Sequence, residues 1–117
     1  MSLLVHTYVR GASGTRYFLD DPDDNLAGFE KSRTKLWGSQ AARDLGARFF
    51  PQLAASDLYV EPEDARAFLA ECDLLGDHLA ELGEHSGYGA DYVQARLANI
   101  REAAVRAVDV GGGVIVW

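Results

Sequence analysis

Leu3, Val5, Thr7 and Val9 alternate with Leu4, His6, Tyr8 and Arg10. A period of two, rich in β-branched and aromatic side chains, predicts a strand. Gly11-Ala12-Ser13-Gly14 supplies residues that tolerate positive φ in a hairpin loop, and Arg16 to Leu19 returns as a second strand. Both faces of the first strand carry apolar side chains. Its sheet is therefore covered on both sides or keeps one face for a partner.

A different period begins after the hairpin. Asp20-Asp21-Pro22-Asp23-Asp24-Asn25 reads as a turn and helix cap, and a helix is predicted from about Leu26 to Trp37, with Phe29, Leu36 and Trp37 buried. Gly38 interrupts it, Ser39 caps a short second piece, and Gly46 ends that piece. Phe49-Phe50-Pro51 reads as a buried connection without regular helix, because Pro51 lacks the required donor. Leu58-Tyr59-Val60 predicts a short third strand, and Pro62 suits the first turn of a helix.

The helix from about Pro62 to Leu82 shows the clearest period in the chain. Ala65, Phe68, Cys72, Leu75, Leu79 and Leu82 recur at three- and four-residue steps and form one apolar stripe, ended by Gly83. A last helix is predicted from about Ala90 to Val108, with Val93, Leu97, Ile100, Ala104 and Val108 on its core face. The short link makes these two helices antiparallel neighbours. Gly111-Gly112-Gly113 breaks out, and Val114 to Trp117 closes the chain as a strand. The expectation is a single α+β domain over residues 1–117. A small, mostly antiparallel sheet combines the N-terminal hairpin with the C-terminal strand, and three to four helices, including an antiparallel helical hairpin, cover mainly one face.

Composition adds constraints. A chain of 117 residues with 48% hydrophobic and 25% charged residues can bury one core without staples. The single Cys72 excludes an internal disulfide and points to a reducing compartment, so a cytoplasmic location is expected. No apolar run is long enough to span a bilayer, and Met1 to Arg10 does not read as a signal peptide. Nine arginines against two lysines, with 17 alanines, suggest a GC-rich bacterial genome.

Charge is unevenly placed. Residues 61–84 hold eight carboxylates and one base, Arg66, so this segment carries the whole net charge of −7. On a helical wheel Glu63, Asp73, Asp77, Glu81 and Glu84 fall on one side, opposite the apolar stripe. Asp73–Asp77 and Asp77–Glu81 are like-charge i,i+4 pairs, each costing roughly 0.2–0.5 kcal/mol in an isolated helix. Local stability does not explain them. They form either a docking face for a basic protein or a solvated face that aids solubility. A sequence pI of 4.8 argues against direct nucleic-acid binding.

Candidate chemistry is sparse. Asp21, Asp23 and Asn25 match the start of a calcium loop, but Leu26 stands where the glycine belongs and Ser32 where the final glutamate belongs. His78 and His85 lie seven apart, about 10 Å along a helix axis, too far to share a metal directly. Cys72 falls in the apolar stripe and reads as an inert core thiol. Neither glycine cluster has the lysine or the following helix of a phosphate loop. No catalytic set, cofactor or metal is assigned.

Three functional readings follow. The first is a small acidic protein-binding module, in character like an immunity protein or antitoxin. It would take a basic partner through Asp73, Asp77, Glu81 and Glu84, with Trp37 and Tyr88 as aromatic anchors. The second is a ligand-binding protein or enzyme with a pocket between sheet and helices, where His6, Tyr8, Arg16 and Glu30 converge. The third is a self-associating protein, a homodimer pairing through its two-sided first strand. One or two exposed rings on a second sheet face would mark a contact surface.

Overall fold

A computed structural model describes residues 2–19 and 25–117. The first strand, β1 (Ser2–Arg10), is the spine of the fold. The C-terminal strand β5 (Gly113–Val116) lies antiparallel along one of its edges, with His6 opposite Ile115 and Tyr8 opposite Gly113. The short β4 (Leu58–Val60) adds antiparallel to β5. Along the other edge β1 pairs with β2 (Arg16–Phe18) at its C-terminal end and with β3 (Leu26–Phe29) at its N-terminal end. The described sheet is fully antiparallel, in the order β2-β1-β5-β4, with β3 beside β2.

The helices are α1 (Gln40–Asp44), α2 (Ala65–Gly76), α3 (Leu79–Ser86) and α4 (Ala90–Val110). They cover the sheet face made by Leu3 and Val5 of β1, Leu58 and Val60 of β4, and Val114 and Val116 of β5. Ala103, Ala104 and Ala107 let α4 lie close to that face. The Thr7 hydroxyl, itself buried, donates to the Ala103 carbonyl at 2.8 Å and ties sheet to helix. The α+β class, the antiparallel sheet and the one-sided helical cover agree with the sequence expectation. So do β1, β2, β4, β5, the Ser39 cap and α4. The run Asp20–Asp24 of the expected turn lies outside the described residues.

The helix expected from Leu26 to Trp37 does not form as such. Its first four residues are β3, hydrogen-bonded to Ser2–Leu4, and only Arg33–Trp37 is helical, as a single widened π turn. Gly28 has φ +122°, a value outside the helical region, which bends the chain across β1. The Trp37 indole N–H then donates to the Ala27 carbonyl at 2.8 Å, pinning the π turn to the strand. Leu36 and Trp37 are buried as expected, but Phe29 is 53% exposed.

The long helix expected from Pro62 to Leu82 is also divided. Pro62–Asp64 is a 3₁₀ turn, α2 ends at Gly76, and α3 restarts at Leu79. At the junction the Asp77 and His78 N–H groups reach the Leu74 and Leu75 carbonyls, an i−3 pattern that tightens and turns the chain. Gly76, a poor helix former, permits this. Gly83 does not end the helix. It sits inside α3 against the Gly89–Ala90 backbone, where a Cβ would collide, and so lets α3 and α4 approach closely. The helix ends instead at Gly87, with φ +80°.

One contact holds the lower core together. Glu71, on α2, is buried, and its carboxylate accepts the backbone N–H groups of Arg48 at 2.5 Å, of Phe49 at 3.0 and 3.1 Å, and of Phe50 at 2.9 Å. These N–H groups open the 3₁₀ helix Phe50–Ala54, where backbone donors lack partners and negative charge is favourable. The corner thus fixed sets Phe50 against Trp37 and Phe68, at ring separations of 5.0 and 5.2 Å. Each such ring contributes roughly 1.5–3 kcal/mol by burial.

Glu71→Gln halves the acceptor capacity facing three backbone donors and removes the charge. The expected cost is about 2–3 kcal/mol in urea unfolding at neutral pH. A loss below about 0.5 kcal/mol would show that the corner is held by its aromatic packing alone.

Candidate functional site

Two surfaces carry the candidate residues: a groove among the helices and the helix-free face of the sheet. The groove runs between antiparallel α2 and α4 and holds about 430 Å³. Its floor is Cys72, Gly76, Leu79, Leu97 and Ala98; Asp73, Asp77, Gln94 and Arg101 form its rim. The two helices face each other so that Asp73 lies opposite Arg101, and the pair closes one end with a hydrogen-bonded ion contact of 2.7 Å. The Asp73 hydrogen bond and charge hold the Arg101 guanidinium above its ordinary value. Towards the other end, Asp77 and Gln94 flank Leu79. Burial pushes the Cys72 thiol up, and the neighbouring carboxylates Glu71 and Asp73 add to this, so Cys72 is an unreactive part of the floor.

Asp73 and Asp77 therefore line one site. Glu81 and Glu84 belong to α3, beyond the turn at Asp77–His78, and are exposed. Glu81 accepts from His78 at 3.1 Å. The acidic stripe is thus not a continuous feature of one straight helix. Of its neighbours in sequence, Glu71 is buried beneath the surface and Glu61 lies just after β4, bonded to Arg10 and Arg16. Trp37, expected as a surface anchor, is fully buried and offers nothing to a partner. Tyr88 is half-buried, packed 4.7 Å from Tyr92 with the Lys35 ammonium 5.8 Å from its ring centre.

The pocket expected from His6, Tyr8, Arg16 and Glu30 divides differently. His6, Tyr8 and Arg16 do come together, but on the sheet face turned away from the helices. Glu30 is elsewhere, paired with Arg33 at 2.6 Å. Strand alternation explains this. In β1 the set Leu3, Val5, Thr7 faces the helices and the set Leu4, His6, Tyr8 faces outward.

On this open face Tyr8 lies across β5 above Gly113, which has no side chain to obstruct it. Its hydroxyl reaches the Val60 carbonyl at 3.0 Å and the Glu61 carboxylate at 3.2 Å. The Arg16 guanidinium sits 5.3 Å from the Tyr8 ring centre and 5.1 Å from that of Tyr59. Arg10 and Arg16 both donate to Glu61. Alongside, His6 stacks on Phe18 at 5.1 Å, and Trp117 meets both rings edge-on at 5.8 and 5.4 Å. Phe18, Tyr59 and Trp117 remain 43%, 46% and 41% exposed.

The sequence carried signals for two residues that were not singled out. Glu71 is three residues after Phe68 and four before Leu75, so it sits on the edge of the buried stripe. Glu61 follows Tyr59 by two in an extended segment and so shares its face. Among the described residues no three His, Cys, Asp or Glu side chains gather so as to hold a metal ion, and no helix is long and apolar enough to cross a membrane. No family model matches this chain, and neither a curated protein nor a solved structure matches it.

Burial pushes the Glu61 carboxyl up, but hydrogen bonds from Arg10, Tyr8 and Arg16 outweigh burial and hold it below its ordinary value of 4.5. A carboxyl lowered by folding adds stability above its unfolded value and loses it as the pH falls through the folded one. Glu61→Gln is expected to cost about 0.5–1 kcal/mol at pH 7, and less at an acid pH where the folded carboxyl is protonated. Urea unfolding of both proteins at the two pH values checks this. An equal gap at both would show that the charge of Glu61 contributes nothing.

Proposed function

We propose that this chain is a protein-binding module that takes a basic, amphipathic helical segment of a partner along the α2–α4 groove. It acts by covering that segment rather than by chemistry, as an immunity-like or antitoxin-like inhibitor in a bacterial cytoplasm would. The observation that carries the reading is the coincidence of two features. The open apolar floor of Leu79, Leu97 and Ala98 borders the segment that holds the chain's net negative charge, and its free rim is Asp77. A groove between helices suits the apolar face of a third helix. Acids at the rim and on α3 speed the encounter with a cationic partner.

Of the two aromatic anchors expected from the sequence, Trp37 is fully buried. With Trp37 buried, affinity depends on apolar side chains entering the groove, while Asp77, Glu81 and Glu84 steer. The Asp73–Arg101 pair contributes less to steering, since its charges offset one another.

Floor and rim are separable by mutation. Ala98 is exposed on α4, so Ala98→Phe fills the groove without altering charge or core. A helical Leu/Lys peptide, followed by fluorescence anisotropy, serves as the probe. Ala98→Phe is expected to weaken binding about tenfold or more at any salt concentration. Asp77→Asn with Glu81→Gln is expected to slow association and flatten its salt dependence, with little change in dissociation. Binding indifferent to Ala98→Phe would remove the groove from the proposal; association indifferent to the double change would remove the steering role.

A further inference from the structure

The open face of the sheet is separate from the α2–α4 groove. Three of its rings come from three different strands or strand ends: Phe18 from β2, Tyr59 from β4, and Trp117 just after β5. They are exposed but not loose. Phe18 and Trp117 are locked by contact with His6 and with each other, and Tyr59 is held by Arg16. Exposed aromatic side chains that are already ordered lose little entropy when covered, a property of protein contact surfaces.

We propose that this face packs against the same face of a second copy of the chain, across a two-fold axis, to form a weak symmetric dimer. Charge favours this occupant. Self-association of a chain with net charge −7 is opposed by repulsion, and this face meets the least of it, because the acidic α2 and α3 lie on the other side of the sheet. Among the described residues the charged groups at the centre of the open face are Arg10, Arg16 and Glu61, which carry both signs in mutual contact. An interface related by a two-fold axis must be complementary to itself. Rings that can stack on rings, beside charges of both signs, satisfy that requirement.

Area sets the strength. At their fractional exposures the three rings present roughly 300 Å², taking about 150–250 Å² for each full side chain. A stable dimer covers about 800 Å² per partner, so this one is weak and transient. The same observations disfavour other occupants. Two arginines already bonded to a glutamate give too little positive charge for a phosphate backbone. The rings close on one another rather than framing a cavity for a small molecule.

Sedimentation velocity of the full chain, between about 5 and 500 µM, tests the proposal. The expected result is a shift from monomer to dimer within that range. Phe18→Ser with Tyr59→Ser should raise the midpoint at least about tenfold, while Ala98→Phe leaves it unchanged. Raising the salt should strengthen the dimer by screening repulsion, opposite to the salt response expected at the groove. Concentration-dependent amide NMR shifts of the unaltered chain give a second readout that does not depend on the variants folding. They should map to β2, β4, β5 and Trp117. A monomer throughout the range, or shifts that map to the helices, overturns the proposal. So does tight binding of a single-stranded oligonucleotide to the open face, which would assign the face to a different occupant.

Discussion

The carboxylate of Glu71 is the contact on which the lower half of this fold depends. Burying a charged group costs several kcal/mol unless hydrogen bonds replace its water. Here three successive backbone donors, from Arg48 to Phe50, supply that replacement. The same donors would otherwise be orphaned at the start of the Phe50–Ala54 3₁₀ helix. Each side thus satisfies the other's unpaired groups. The consequence extends beyond the corner. With its backbone fixed, Phe50 bridges Trp37 and Phe68, and Trp37 in turn holds β3 through Ala27. One buried acid on α2 therefore connects the helical layer to the strand that pairs with the start of β1.

The sheet shows a second constraint, which follows from the pleat. Both sides of β1 are apolar, and the helices can cover only one. On the helical side, alanines of α4 allow close approach and Thr7 spans the gap. On the other side the chain protects its apolar atoms with rings and an arginine laid flat, so Tyr8, His6 and Ile115 are buried without a covering element among the described residues. Gly113 makes this possible by leaving room for Tyr8. The exposed remainder is what this self-covering leaves over, and its rigidity derives from the contacts that bury the residues beneath.

Much of this was legible in the sequence, and the failures have definite causes. Alternation identified β1 and the three-to-four period identified α4, because each keeps one period over its whole length, while short apolar runs beside proline or glycine identified β4 and β5. Strand β3 was hidden because four residues with a glycine carry little periodicity, and their pairing is with Ser2–Leu4, far away in the chain. The turn at Asp77–His78 was hidden because Leu75 and Leu82 stay in phase across it, so the apolar stripe reads as unbroken. The acidic segment misled for a related reason. A helical wheel ranks carboxylates by angle and cannot distinguish a solvated charge from one aimed at backbone donors. Glu71 and Glu61 lay outside the stripe on the wheel but were counted in the segment's net charge, although their partners are fixed within the fold.

The division of the acids changes what the negative charge means. Glu61, Glu71 and Asp73 are matched by arginines or backbone N–H groups, so they contribute to the fold and little to the outward field. What projects from the helical side is a smaller set: Glu63, Asp64, Asp77, Glu81 and Glu84. Had α2 and α3 been one straight helix, Asp73, Asp77 and Glu81 would have stacked at i,i+4 spacing and repelled one another along its length. The turn at Asp77–His78 takes Glu81 out of that line, Asp73 is paired with Arg101, and Leu79 just beyond the turn lines the groove. The same stretch that separates the like charges also sets apolar surface next to them. A surface serving solubility alone has no need of that pairing, because acids scattered around the outside of the helices would keep the chain soluble equally well.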